Sequence, residues 1–590
     1  MLTKERLIYG CPNHFLNDLE VFERRVQKAA SCGFTHFDIG QLHDRGRWAI
    51  DDPSDPWLQW NLANPSLFKI LPPDELKDFV PVDEAAINLN LVINKGKILE
   101  KYGLKGMFTT WDPTWMPESF FHKHPEWRGP RIDHPRRSMH KRFAPCMDHP
   151  GVLALYREAV RKLLALVPCI DMLHIYTNDS GAGMCWSSHL YNSPNGPEAC
   201  AHIPMGKRVA TYLDNFRQGG LEAGIDLQVT LMSQLNQVET EAILQSLKPG
   251  TGLVDWNGTV EPGREHYKRV AAHFMYPIYF IVCGLPTHAI LADGLRDAYD
   301  APTVLAHLQA FSEDYFDDFM DMTAAAFASE TNTITDRHNI LLSIASKKVG
   351  TKNAPALVEV WELVREGLNL ICHPFGGSYI IEAASLMQRW LTRPFVPFPL
   401  ELTEEERSYF WPHLFQLEDD ELKADMMNIQ GSRLIDSRGA ANFMSRLWGQ
   451  AIGLFMKAEH IAAQQPGCKN IVHALRVMQC LCKNAINCAS FQSIMDEYAG
   501  HDGIKEAVSY DAGNIDRAVV YKIYRAEIDN TYTLLNILAE CPDIIETGER
   551  PEQEDQFTFS PDLAGQLRKK IEIMMNHWQD FDRVFPRPNR

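Results

Sequence analysis

Several segments of this chain end a run of apolar residues on a carboxylate or an amide: Asp38, Trp111-Asp112, Asn178-Asp179, Asp255-Trp256, and Glu330 with Asn332. The strongest spans Ile170 to Gly183, where a mostly apolar run stops on Asn178-Asp179 and then passes through Ser180, Gly181, Ala182 and Gly183. Glycines permit close backbone approach, and polar groups at the C-terminal ends of strands are where parallel barrels gather their chemistry. Carboxylates interleaved with tryptophans suit a sugar, whose C–H faces pack on aromatic rings while its hydroxyls need fixed amide and carboxylate partners. Hydrolysis of a glycosidic bond needs a protonated acid beside the leaving oxygen and a second carboxylate across the ring. On that chemistry Asp179 is the candidate general acid and Asp255 the opposing base or nucleophile, with Glu330 as the rival for that second role. Asn178, Trp111, Asp112, Asp38, Trp256 and Trp186 are the candidate substrate contacts. Turn chemistry alone would also place Asn178-Asp179 at a strand end, Asp112 before Pro113 would shape a turn, and Asp38 would serve as a buried structural acid.

A second feature is cationic. The stretch from Pro113 to Pro150 holds His122, Lys123, His124, Arg128, Arg131, His134, Arg136, Arg137, His140, Lys141 and Arg142, in a chain of net charge −18. Long loops inside compact domains are usually functional. Arg136 and Arg137 would then recognise an anionic sugar, uronic or sulfated; the equal alternative is that these cations pair with acids of the chain or of a partner subunit. The acidic balance argues against a nucleic-acid or anionic-membrane surface. No apolar run reaches the length of about 18 residues needed to span a membrane. The opening residues, Met1 to Arg6, lack the apolar core of a secretory signal, and the 13 cysteines are read as reduced thiols, so a cytoplasmic location is expected. Neither the histidines, which form no HExxH, nor Cys480, Cys482 and Cys488, which lack CxxC spacing, suggest a metal, and no cofactor is expected.

These groups need a scaffold, and the chain alternates strand and helix patterns to about residue 350. Strands are expected at Arg6 to Gly10, Phe34 to Gly40, Gly106 to Asp112, Leu173 to Thr177, Asp226 to Leu231, Gly252 to Trp256, Tyr276 to Cys283 and Met320 to Phe327. Helices are expected between them, including Leu19 to Ser31, Asp83 to Tyr102, Val152 to Leu166, Lys207 to Ala223 and Thr303 to Tyr315. Eight strand-then-helix units imply an α/β chain with a (β/α)8 TIM barrel over residues 1–350. A doubly wound sheet is the alternative, but no GxGxxG loop follows any strand. From residue 351 to 590 long patterns with apolar residues three and four apart imply an α-helical C-terminal domain, a scaffold or a surface for homo-oligomer formation.

Four segments in order carry a family resemblance: His124 to Gly129, Cys146 to Val152, His174 to Gly181, and Ile340 to Gly350. On them the chain resembles the glycoside hydrolase superfamily with β-hexosaminidase-like and α-glucuronidase-like barrels. In family 20 hexosaminidases the fourth strand ends in an Asp-Glu pair, whose matching positions are Asn178 and Asp179. Asparagine in place of that Asp leaves no carboxylate to polarise an acetamide, which weighs against substrate-assisted chemistry. The α-glucuronidase-like pattern implies an acid at Asp179 and a base at Asp255. The expected activity is hydrolysis of a small, acidic or neutral glycoside or oligosaccharide. The rivals are a carbohydrate-binding barrel without turnover and a metal-dependent sugar lyase or isomerase.

Overall fold

The computed structural model describes residues 5–10, 18–40, 42, 66–78, 80, 82–133, 140–178, 180–232, 235–254, 259–261, 264–271, 282–307, 313–372, 387, 390–410, 437–498, 510–547 and 559–585. The chain is mixed α/β and divides into two compact units, Met1–Ala272 with Leu291–Ile340, and His273–Ile290 with Leu341–Arg590.

The first unit is built on β1 (Arg6–Gly10), β2 (His36–Asp38), β3 (Lys105–Trp111), β4 (Arg128–Arg131), β5 (Phe143–Pro145), β6 (Ile170–Tyr176), β7 (Gln228–Met232), β8 (Thr251–Val254), β9 (Thr259–Glu261), β10 (Arg264–Ala271) and β11 (Thr303–His307). The main sheet runs β1-β11-β10-β9-β8-β7-β6-β3-β2 and closes through β1 against β2. All neighbours in it are parallel except β9, a short strand antiparallel to both β8 and β10. β4 and β5 form a separate antiparallel pair. Parallel strands need long crossovers, and the helices Leu19–Ser31, Val82–Tyr102, Pro150–Leu166 and Met205–Glu222 supply them with their apolar faces buried. Asp18 starts the first of these by accepting the Glu20 and Val21 amides, the usual way an N-cap satisfies free N–H groups. Inside the ring, Ile8, Met107, Met172, Tyr176, Met232 and Leu305 form one core, with Trp111 packed on it.

The later part of this unit departs from the sequence expectation. Within the helix expected from Thr303 to Tyr315, Thr303–His307 is instead the strand β11. Its β-branched start and continuous apolar centre suit a parallel strand buried on both faces. Met320 to Phe327, expected as the eighth strand, lies inside the helix Glu313–Ala328, where three consecutive alanines favour helix. The place assigned to Tyr276 to Cys283 is taken by β10, and residues 276–281 lie outside the described residues.

The second unit contains the helices Ala354–Cys372, Ser437–Ala462, Lys469–Tyr498, Tyr510–Glu540 and Leu563–Asn576. The fully buried Lys570 ammonium bonds Glu527 and the Leu391 carbonyl, and Asn484 and Asn487 also donate to Glu527. Among the described residues, no helix is long and apolar enough to cross a membrane.

Candidate active site

The C-terminal ends of β2, β3 and β6 bring several of the expected residues together. Trp111 and Tyr176 are register partners, and their rings stack at 4.8 Å with an interplanar angle of 15°. Trp111 is partly exposed while Tyr176 is buried, so the pair presents an aromatic platform at the mouth. Beneath it, His174 stands edge-on to Tyr176 at 4.9 Å, and its Nδ1 lies 2.8 Å from Thr230 Oγ1. Asn178 follows on β6, buried, with its side-chain oxygen accepting the Ser180 amide at 2.7 Å. This Asx turn starts a tightly wound segment. Gly181, Ala182 and Gly183 have φ of 53°, 56° and 67°, the left-handed region that side chains avoid. A Cβ on Gly181 would meet Ser187 at 2.9 Å, and one on Gly183 would meet Pro113 at 2.9 Å. Ala182, fully buried, holds the same conformation without being glycine. Strain of this kind persists only where the surroundings over-determine it, and it clusters at functional sites.

Two acids expected to touch substrate are hydrogen-bonded within the scaffold. Asp38 is buried and accepts the Gly40 amide at 2.9 Å, the Thr109 amide at 3.3 Å and the Thr109 hydroxyl at 2.7 Å. The approach it locks is so close that a Cβ on Gly40 would sit 2.4 Å from the Thr109 carbonyl oxygen. Asp112 accepts the Ser66 hydroxyl at 2.8 Å, the Leu67 amide at 3.2 Å, the Thr110 hydroxyl at 2.6 Å and the Tyr156 hydroxyl at 3.1 Å. The Tyr212 hydroxyl adds a bond to the Asp112 carbonyl at 2.9 Å. Burial pushes both carboxyls up to about 6, against the pull of these donors. These bonds tie Asp38 and Asp112 to β2, β3 and the segments packed on them.

Glu330 lies away from these strand ends. It follows the helix Glu313–Ala328 and is exposed. Its neighbour Ser329 accepts the Tyr299 hydroxyl at 2.8 Å, close to Pro302, whose carbonyl accepts the Glu5 amide at the start of β1. That is the end where the strands begin, opposite to the mouth. The cause is the swapped order of the last strand and helix. Trp186, at φ 63°, donates its indole N–H to the Pro197 carbonyl at 2.9 Å and packs on Cys146, Cys185 and Cys200. Asp179, Asp255, Trp256, Arg136 and Arg137 lie outside the described residues.

Several described cations of the long loop are paired locally. His122 and Lys123 close a short helix, Glu118–Lys123, rather than sitting in a loop. Lys123 bonds Asp78 at 3.0 Å, Arg131 makes two bonds of 2.7 Å to Asp133, and Arg128 bonds Glu118 and lies over Phe121 and Phe143. Arg142 lies over Trp115.

A group the sequence did not single out sits beside the wound segment. Cys146 follows β5, Asp148 comes two residues later, and Cys185 and Cys200 belong to the stretch after β6; their ligand atoms all lie within 4.8 Å of one another. The three thiols are buried, with Cys146 and Cys185 sulfurs 3.8 Å apart. The hydrogen bond from Cys185 holds the Cys146 thiol down at about 7, and the same contact pushes Cys185 up. Burial raises Asp148, opposed by the Arg208 charge 3.6 Å away. Nothing in local spacing announces this cluster, whose members follow β5 and β6, strands of two different sheets.

No family model and no curated protein matches the chain. Among solved structures it is similar to a GH138 enzyme targeting pectin rhamnogalacturonan II, at 9% identity over 99% of this chain and 85% of that one, with a TM-score of 0.49. A family 89 glycoside hydrolase from Clostridium perfringens gives 9% identity over 100% of this chain and 65% of that one, with a TM-score of 0.46. An O-GlcNAc hydrolase from Thermobaculum terrenum gives 10% identity over 98% and 96%, with a TM-score of 0.34. All three TM-scores lie below 0.5.

Proposed function

We propose that the chain is a glycoside hydrolase, its first unit a (β/α)8 barrel with an added antiparallel strand and its second a helical domain. The observation that supports this best is the Trp111–Tyr176 platform beside the strained turn that follows Asn178 and Asp179 at the end of β6. An apolar ring face gives the C–H face of a sugar its support. The turn, held by Asn178 and by the steric limits at Gly181 and Gly183, fixes the backbone on either side of Asp179.

In this reading Asp179 protonates the leaving oxygen and Asp255, with Trp256 beside it, acts from across the mouth as base or nucleophile. Asn178 and Trp111 hold the sugar. Arg136 and Arg137 select a uronic or sulfated substrate, in a loop whose Lys123, Arg131 and Arg142 already have acidic or aromatic partners. The test is a panel of nitrophenyl glycosides that includes uronides, assayed with and without a chelator. Release of nitrophenol from a member of the panel, undiminished by brief chelation, is expected. Sugar binding without release would favour a non-catalytic barrel, and immediate loss with chelator would favour a metal-dependent lyase or isomerase.

A further inference from the structure

The cysteines beside the wound turn are arranged unlike ordinary core thiols. A cysteine used as a small hydrophobe fills its own gap. Here three Sγ atoms from separate segments and one carboxylate oxygen converge within 4.8 Å of one another. A disulfide does not account for them, because the 3.8 Å between Cys146 and Cys185 is nearly twice a sulfur–sulfur bond of about 2.05 Å. It does match another geometry. Two thiolates on a tetrahedral zinc, each about 2.3 Å from the metal, stand about 3.8 Å apart.

We propose that Cys146, Asp148, Cys185 and Cys200 hold one Zn2+ ion as a closed structural site. Thiolates select zinc over hard cations such as calcium or magnesium, and four protein ligands leave no position open for water or substrate. Three thiols give up their protons to solvent on binding, so the bound cluster carries two net negative charges. Arg208 answers that charge from the outer shell, 3.6 Å from Asp148 and hydrogen-bonded to the Cys185 carbonyl. The ion would tie the end of the β4–β5 pair to the stretch after β6. Existing bonds run the same way: the Arg131 amide donates to Asn195 at 2.6 Å, and the Trp186 amide donates to the Asn195 carbonyl at 2.8 Å. Metal binding would therefore stiffen the loop that leaves the Asn178–Gly183 turn, whatever reaction the mouth performs.

The test uses the full chain, purified under reducing conditions. One equivalent of zinc by elemental analysis is expected. Exchange for Co2+ should give the intense thiolate-to-cobalt band in the near ultraviolet and the visible bands of a tetrahedral ion. Cys146→Ser and Cys200→Ser should each lose the metal. Cys169→Ser, which removes a buried thiol bonded to the Gly96 carbonyl outside the cluster, should keep it. If the serine variants fail to fold, the zinc content and cobalt spectrum of the wild-type chain decide alone. A metal-free protein that takes up no Co2+, metal retained by both serine variants, or an intact mass lighter by two hydrogens before reduction would each overturn the proposal.

Discussion

Replacing Ala182 by valine tests whether the turn after β6 is as constrained as its geometry states. Ala182 is fully buried at φ 56° and ψ 18°, between glycines that are themselves left-handed. A β-branched side chain in that region adds about 1–2 kcal/mol of backbone strain. Two further methyl groups at a fully buried position add about 1–3 kcal/mol. Ala182→Val should therefore lose about 2–5 kcal/mol, read from urea unfolding followed by circular dichroism. Ala182→Gly relieves the strain but frees the unfolded chain, so it should stay within about 1 kcal/mol of wild type. Where Ala182→Val still folds, turnover should fall more than KM rises, because the displaced backbone flanks Asp179. Valine tolerated with wild-type stability and turnover would refute the argument from strain.

Asp38, buried and pushed up to about 6, favours its protonated form in the fold, so its stabilisation is complete below the ordinary value near 3.8 and is lost as pH rises through 6. The stability deficit of Asp38→Asn should accordingly be larger at pH 4.5 than at pH 7, by about 2 kcal/mol, and equal deficits in urea at both pH values would contradict this. Neutralising Arg136 and Arg137 together should raise KM for an acidic glycoside several-fold and leave a neutral analogue nearly unchanged; equal effects on both would assign these arginines to structure. Lys570→Met strands the fully buried Glu527 carboxylate and should cost about 3–5 kcal/mol in thermal or urea unfolding. The pair variant Lys570→Met with Glu527→Leu should recover much of that loss.

Most of the scaffold that carries the mouth can be read from residue patterns. Leu19–Ser31, Val82–Tyr102 and the strand ending at Trp111 have regular apolar spacing and glycine stops, at Gly33 and Gly103, where the backbone turns left-handed. The pattern misleads after residue 300. Thr303–His307 is too short and too uniformly apolar to separate from a helix by periodicity, and reading it as one displaced Glu330 to the wrong end of the sheet. At the strand ends the residue types were informative and their orientations were not. Asp112 looks like a ligand-binding acid until Ser66, Thr110 and Tyr156 occupy its oxygens. The thiol cluster was invisible because Cys146 and Cys200 are joined only by the fold.

The central claim is that Asp179 is the acid of a glycosidase, and the dependence on leaving group tests it most directly. A general acid matters when the departing oxygen needs a proton and much less when it leaves unaided. Once the nitrophenyl panel has identified the sugar, wild type and Asp179→Asn should be compared on its dinitrophenyl and methyl glycosides. The account predicts a loss of at least about 10²-fold on the methyl glycoside and a far smaller one on the dinitrophenyl glycoside, with folding intact. Wild-type turnover of both substrates by Asp179→Asn would contradict it.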